Sequence, residues 1–262
     1  MEDSCWLIDL DGVVWLGDEP IAGGAEAARL LRAAGRRVAF FTNNSSPRHA
    51  EHVAKLASFG MDPAPEDVLT SAQAAARLCV PGTSALVLGG PGVDEALAAR
   101  GVDAVPAGRG APPGGRPVTD VLVGLDRAVS YDRLADAVTT VLRGARLVGT
   151  NEDPTLPTPA GPRPGAGALL QAVSYATGSD PVVAGKPHGP AADLAVEVLG
   201  TVTTVVGDRP STDGAFARRL GARFALVHSG ATPADHGPLD PSPDVEAADL
   251  LTLVRRLLDD PG

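Results

Sequence analysis

Four short apolar runs in this chain stop against chemically active residues, and this restricts the fold more than any other feature. Residues 5–10 run into Asp9-Leu10-Asp11-Gly12, and residues 37–41 into Thr42-Asn43-Asn44. Residues 181–184 lead to Gly185-Lys186, and residues 203–206 to Gly207-Asp208-Arg209, with Asp213 close behind. Short apolar runs of this kind read as buried strands. Between the first two, residues 23–34 carry Ala and Leu at helical spacing, closed by Gly35. Residues 49–58 do the same after Pro47, closed by Gly60. Strands alternating with helices argue for a parallel sheet covered by helices, an α/β fold. In such a sheet the carboxyl ends of the strands face the ligand. The pattern therefore predicts one site assembled from four strand ends.

The middle of the chain has αβ elements of its own. Helices are expected at 66–78, up to 99, at 131–142 and at 166–177. Strands are expected at 85–88, 102–105, 121–125 and 147–149. Residues 15–21, 107–117 and 151–165 read as loops. Residues 71–178 are thus expected to form a domain inserted into a sheet built from 1–70 and 179–262. A last strand at 224–228, a Pro/Asp-rich linker at 231–244 and a closing helix at 245–258 complete the reading.

Composition removes several function classes. A net charge of -10 argues against non-specific binding of nucleic acid or an anionic membrane. No run reaches the roughly 18 apolar residues of a membrane helix, and the N-terminal residues show no export signal. Two cysteines, Cys5 and Cys79, suggest a reducing, cytoplasmic setting rather than a disulfide framework.

The residues at the strand ends point to one chemistry. Strand side chains alternate faces, so Asp9 and Asp11 point the same way. Two carboxylates so close repel each other unless a cation lies between them, and hard oxygen donors suit Mg²⁺. Lysine occurs only at Lys55 and Lys186, the other basic charges being arginine. Lys55 fits a solvated helix face, whereas Lys186 sits among Gly and Pro after an apolar run. Carboxylates, an ammonium, a hydroxyl and Gly-rich backbone are the parts needed to move a phosphoryl group through an aspartyl phosphate. Asp9 is then the nucleophile and Asp11 the general acid and base. Thr42 and backbone N–H groups around Gly12, Asn43 and Asn44 bind phosphoryl oxygens, and Lys186 offsets the gathered charge. Asp9, the Asp11 main-chain carbonyl and Asp208 hold Mg²⁺, and Asp213 orients them.

The order and spacing of these segments resemble the haloacid dehalogenase superfamily of aspartate-nucleophile phosphatases over nearly the whole chain. The resemblance implies a Rossmann-like three-layer core with an inserted α/β cap. The large insert is similar to the cap of the subclass IIA branch, which holds p-nitrophenyl, phosphoglycolate, glycerol-3-phosphate and pyridoxal phosphate phosphatases. Thr150-Asn151-Glu152-Asp153-Pro154 and Pro164-Gly165-Ala166-Gly167-Ala168 resemble the cap segment that approaches the substrate, so Asn151 and Asp153 are expected to bind it. Arg209-Pro210-Ser211-Thr212-Asp213 departs from the branch, which more often carries Leu-Asp or Leu-Glu before the Thr-Asp. The implied activity is Mg²⁺-dependent hydrolysis of a small cytosolic phosphate ester of the glycerol phosphate, phosphoglycolate or sugar phosphate type. A homodimer through the cap is also implied.

Blander readings exist for single residues. Lys186 fits a surface turn, Asp213 a helix-start charge, and Asn151 and Asp153 loop formation. Arg48, His49 and His52 fit a solvated helix, and His188 a structural loop. Gly89-Gly90-Pro91-Gly92 lacks the dinucleotide-binding pattern. Two other functions share the motifs: a phosphotransferase or mutase using the same aspartyl phosphate, and a non-catalytic phosphometabolite-binding protein.

Overall fold

The computed structural model describes residues 4–109, 116–156, 158 and 161–259. Parts of the loops expected at 107–117 and 151–165, and the start of the N-terminal stretch, lie outside the described residues. In chain order, β1 (Cys5–Ile8) leads to a hairpin of β2 (Trp15–Leu16) and β3 (Glu19–Pro20). There follow α1 (Gly24–Ala33), β4 (Arg37–Thr42), α2 (His49–Ser58), β5 (Val68–Thr70) and α3 (Ser71–Ala76). The middle contains β6 (Ser84–Leu88), α4 (Pro91–Ala99), β7 (Asp103–Pro106), β8 (Val118–Val123), α5 (Tyr131–Leu142) and β9 (Arg146–Gly149). It ends with β10 (Thr155–Leu156), β11 (Arg163–Pro164), α6 (Ala166–Thr177) and β12 (Val182–Val183). The last part holds α7 (Gly189–Leu199), β13 (Val202–Gly207), α8 (Ala215–Leu220), β14 (Arg223–Val227), β15 (Val245–Ala247) and α9 (Leu250–Asp259).

Two parallel sheets result. The first has the order β15-β14-β13-β1-β4-β5 and the second β12-β9-β8-β6-β7. Alternation along the strands builds the layers. Trp6, Ile8, Val38 and Phe40 face one way, against Ala28, Leu31, Leu56 and Leu253 from α1, α2 and α9. Cys5, Leu7, Ala39 and Phe41 face the other way, in a cluster with Ala74, Ala75, Ala195 and Phe216 from α3, α7 and α8. That cluster continues through Val93 and Leu97 of α4 to Ala85, Val87 and Leu122 on one face of the second sheet. The opposite face of that sheet packs Leu86, Leu88 and Val121 against Ala137, Leu170 and Val173 of α5 and α6. The middle segment therefore closes a core of its own on one face and shares a core with the first sheet on the other.

Several readings need correction, and the loop expected at 151–165 carries the antiparallel pair β10–β11. The helix expected at 66–78 is a single turn at Pro65–Asp67, then β5, then α3. Val68, Leu69 and Thr70 are all buried, β5 pairs with β4, and the Thr70 hydroxyl caps α3 by accepting from Gln73 N at 3.2 Å. The loop expected at 15–21 contains the β2–β3 hairpin. The helix expected from 245 begins only at Leu250, because residues 245–247 extend β15 along the edge of β14. The strand before Lys186 is not in the first sheet: β12 pairs with β9, so the chain leaves the second sheet only after Val183.

Candidate active site

A cleft lies where carboxyl ends of strands from both sheets meet. The first sheet contributes the segments after β1, β4 and β13, and the second those after β8, β9 and β12. Each brings residues to the lining: Asp9 and Asp11, Asn43 and Asn44, Asp208 and Asp213, Leu125, Asn151 and Asp153, and Lys186.

The first of these segments is a tight turn. Asp9 N donates to Val206 O at 2.9 Å, extending the ladder by one residue. Leu10 O then accepts from Val14 N at 2.9 Å, and Gly12 N donates to Trp15 O at 2.7 Å. Gly12 has φ 87°, which an L side chain rarely adopts, and a Cβ there would run into the Asp208 carboxylate. The indole of Trp15 returns over the turn and donates to Asp11 Oδ1 at 3.0 Å. Residues 229–232 clamp the same place from the other side. Ser229 Oγ donates to Gly12 O at 2.8 Å, Ala231 N to Asp208 Oδ2 at 2.6 Å and Thr232 Oγ1 to Asp208 O at 2.6 Å.

Lys186 ties the site together. Its backbone N donates to Asn43 Oδ1 at 2.9 Å, and its carbonyl accepts from Asn43 Nδ2 at 3.1 Å. Its Nζ donates to Asp9 Oδ1 and to Asp213 Oδ1, each at 2.6 Å. The ammonium is buried, with the Phe41 ring centroid 5.8 Å away. Oxygens of Asp9, Asp208 and Asp213 all lie within 4.8 Å of one another.

The electrostatics follow from burial and crowding. Burial pushes the Asp9 carboxyl well above the ordinary range; Lys186 opposes the shift, and Asp213 and Asp208 add to it. Asp208 is pushed up to about 6, by burial first and then by Asp213, against the Ala231 N–H and Arg209. Burial alone would lower Lys186, but the Asp213 and Asp9 carboxylates outweigh it and hold the ammonium charged. Three carboxylates and one ammonium leave a negative remainder that a divalent cation balances, and an all-oxygen donor set suits Mg²⁺. The residues present therefore fit the ion, with the Asp213 oxygens, which accept from Lys186 Nζ and Arg209 N, beside those of Asp9 and Asp208.

The remaining expected site residues meet partners within the protein. The Gly12 N–H is engaged by Trp15 O, so this amide shapes the turn instead of facing a phosphate. Thr42 is 1% exposed, accepts from Asn44 N at 3.0 Å and lies 3.5 Å from Asp11 Oδ2. The Asn43 side chain is occupied by Lys186 and by Asp153 Oδ2, to which it donates at 3.0 Å. Asn44 Oδ1 accepts from Ser46 N at 3.2 Å. Asn151 donates to Asn43 O at 2.6 Å and accepts from Asp153 N at 3.1 Å, so its amide braces the loop. Asp153 lines the cleft opposite Arg209, with which it forms an ion pair at 3.5 Å. Trp15 and residues 229–232 were not anticipated, and the sequence singles out Arg209 only within Gly207-Asp208-Arg209, without a role. Arg209 follows the Gly207-Asp208 pair directly, which was the available signal; nothing local marked the other segments.

Residues 6–103 match the family model described as haloacid dehalogenase-like hydrolase, and residues 183–253 match a second HAD-like hydrolase model. A 5'-nucleotidase, YutF, of Bacillus subtilis is 34% identical over 253 residues, spanning 94% of this chain and 95% of its own length. The chain belongs to the haloacid dehalogenase-like hydrolase family. Within it, the p-nitrophenyl phosphatase from Archaeoglobus fulgidus superposes with a TM-score of 0.86 at 29% identity, covering 98% of this chain and 100% of that one. The glycerol phosphate phosphatase Rv1692 from Mycobacterium tuberculosis, in complex with magnesium, gives 0.82 at 34% identity, covering 96% and 76%. This HAD hydrolase is an enzyme of the phosphatase type.

Proposed function

We propose that the chain is a Mg²⁺-dependent hydrolase of a small phosphate monoester that works through a phosphoryl group carried on Asp9. The convergence of Lys186 Nζ, 2.6 Å from both Asp9 and Asp213, with the Asp9, Asp208 and Asp213 oxygens carries this reading. Asp9, the Asp11 main-chain carbonyl and Asp208 would hold Mg²⁺, which when bound neutralises charge on the phosphate oxygens, and Asp213, bonded by Lys186 Nζ and Arg209 N, would orient them. The magnesium complex of the mycobacterial relative supports the choice of ion.

The residues divide the work. Lys186 engages Asp9 Oδ1 and leaves Oδ2 to attack phosphorus. As the Asp9 O–P bond forms, the ester P–O bond breaks, and Asp11 passes a proton to the leaving oxygen. Water then attacks the same phosphorus, returns a proton to Asp11 and frees Asp9 and inorganic phosphate. Trp15 Nε1 holds the Asp11 carboxylate in place between these steps. Asn43 positions Lys186 by accepting from its backbone N–H and donating to its carbonyl.

The substrate body is read as a small hydroxylated group such as a glycerol or sugar phosphate. No aromatic side chain lines the described cleft, whose lining outside the charged and amide residues includes Leu125, Thr155, Leu156 and Thr212. A nucleobase would find no stacking partner there. The relatives named above act on p-nitrophenyl phosphate, glycerol phosphate or 5'-nucleotides, so the panel must include all three. A cytoplasmic setting accords with the buried free thiols Cys5 and Cys79; among the described residues no helix is long and apolar enough to cross a membrane. A homodimer through the inserted segment would cover Tyr131, Leu142 and Tyr175, which are exposed on α5 and α6.

The test is phosphate release from such a panel, with Mg²⁺ and with chelator, for wild type and Asp9→Asn. Mg²⁺-dependent release lost in the variant is the expected result. Transfer of the phosphoryl group to a second sugar hydroxyl in preference to water would make the chain a phosphotransferase instead.

A further inference from the structure

Among the described residues a second set of metal-ligating side chains gathers away from the cleft lining: His228, His236 and Glu246, with one donor atom of each within 4.8 Å of the others. His228 directly follows β14, Glu246 is the middle residue of β15, and His236 lies in the Pro/Asp-rich segment between them. Glu246 Oε2 is 3.2 Å from His228 Nε2 and 3.0 Å from His236 Nε2.

The ring protons decide what this geometry means. His228 Nδ1 faces Thr232 O at 3.3 Å, and His236 Nδ1 faces Gly237 O at 2.7 Å. A carbonyl oxygen only accepts, so in each ring Nδ1 carries the proton. With both imidazoles neutral, their Nε2 lone pairs face one carboxylate oxygen, and at this spacing a positive charge, a metal ion or ring protons, must lie between them. Metal bonds of about 2.0–2.2 Å place neighbouring ligand atoms roughly 3.0–3.4 Å apart, which the two N···O separations match. An Nδ1–H donated to a backbone carbonyl is also the outer contact that fixes a metal-bound histidine. The rival arrangement protonates the rings: the Gly237 carbonyl, Glu246 and Asp235 raise His236, and His236 in turn lowers Glu246, whereas the second ring, 5.4 Å away between centroids, and Arg256 Nη1, 3.2 Å from the Glu246 carbonyl, oppose a second charge.

We propose that His228, His236 and Glu246 form a second metal site, for a borderline divalent cation of the Zn²⁺ class, that fastens segment 231–244 to the β14–β15 edge. Two imidazoles and a carboxylate select such an ion over Mg²⁺. Exposure of 11%, 18% and 39% for the three side chains leaves an entry path and room for a water ligand. The site acts on the cleft through the chain itself. His228 leads directly into Ser229–Thr232, which bond Gly12 and both ends of Asp208.

The experiment uses the full chain in saturating Mg²⁺, titrated with Zn²⁺ by calorimetry and with Co²⁺ by visible absorption. One equivalent should bind with the intense Co²⁺ bands of a nitrogen-containing, low-coordinate site, in wild type and in Asp9→Asn. Binding should vanish in His236→Ala and Glu246→Gln, and Zn²⁺ should raise the melting temperature of wild type by several degrees but not that of the variants. Chelator-treated wild type should melt like His236→Ala. Binding weaker than about 1 mM, or equal binding in both variants, would overturn the proposal. A stabilisation that appears on acidification and ignores Zn²⁺ would assign the cluster to protons and overturn it too.

Discussion

The guanidinium of Arg209 stands 3.5 Å from a carboxylate oxygen of Asp153 and thereby joins the segment after β13 to the loop after β9. Both side chains are about one-quarter exposed, so the pair contributes ~1 kcal/mol or less to stability. Its position at the cleft matters more, because it holds Asp153 beside the carboxylates. Arg209→Ala should leave the melting temperature within a few degrees and raise KM several-fold. Steady-state kinetics beside a thermal melt check this; an unchanged KM would confine Arg209 to the surface.

Asp9→Asn should abolish phosphate release while keeping the fold. Asp9 is a partly buried carboxyl held well above its ordinary range, chiefly by desolvation. Replacing it with a neutral isostere removes repulsion from Asp208 and Asp213, so the metal-free variant should melt no lower than wild type. Calorimetry in chelator gives the comparison, and a large drop in melting temperature would contradict the charge assignment.

Lys186→Met should damage both activity and stability. The ammonium bonds Asp9 and Asp213 inside the protein, and removing it leaves their carboxylates without that partner. Breaking a buried pair in this way costs about 3–5 kcal/mol. Chemical denaturation should show that loss, and Mg²⁺ should recover part of it, since the cation restores positive charge at the same oxygens.

Trp15→Phe should keep the ring packed and delete only the Nε1–H that donates to Asp11 Oδ1 at 3.0 Å. A hydrogen bond to a charged group contributes about 1.5–3 kcal/mol. Most of that should appear as a roughly tenfold or greater fall in kcat with little change in KM. A change confined to KM would place Trp15 in substrate binding and not in holding Asp11.

The pH response of metal-free protein has a definite sign. Asp208 is pushed up to about 6, above its unfolded range, so between the two values the folded state holds more protons. Stability in chelator should therefore fall as pH rises from about 4 to about 6 through this group. Mg²⁺ should raise the melting temperature far more at pH 7.5 than at pH 5, where protons compete for the same oxygens. Equal Mg²⁺ stabilisation at both values would remove Asp208 from the ligand set.

Much of this arrangement is legible in the chain itself. The alternation of apolar runs with Ala/Leu helices dictates parallel α/β layers, because each strand must bury both faces and each helix one. Helices 49–58, 131–142 and 166–177 match α2, α5 and α6 residue for residue, since helical spacing is a local signal. The polar residues that end the strands name the cleft for the same local reason: Asp9, Asp11, Asn43, Asp208 and Lys186 all line it.

Tertiary structure decided which sheet each strand joined and what each polar group touches. Val182 and Val183 read as a strand wherever they lie, but only pairing with β9 places Lys186 at the end of the second sheet. Val68–Thr70 follow the same rule, a helical pattern overridden by a free edge on β4. The side chains of Asn43 and Asn151 gain bracing contacts to Lys186, Asp153 and the Asn43 carbonyl that no local pattern shows. His228, His236 and Glu246 carry no motif at all; the pairing of β14 with β15 brings them within 4.8 Å. Periodicity and turn chemistry are written into neighbouring residues, whereas strand partners and side-chain contacts join residues far apart in sequence, and only the folded chain selects among them.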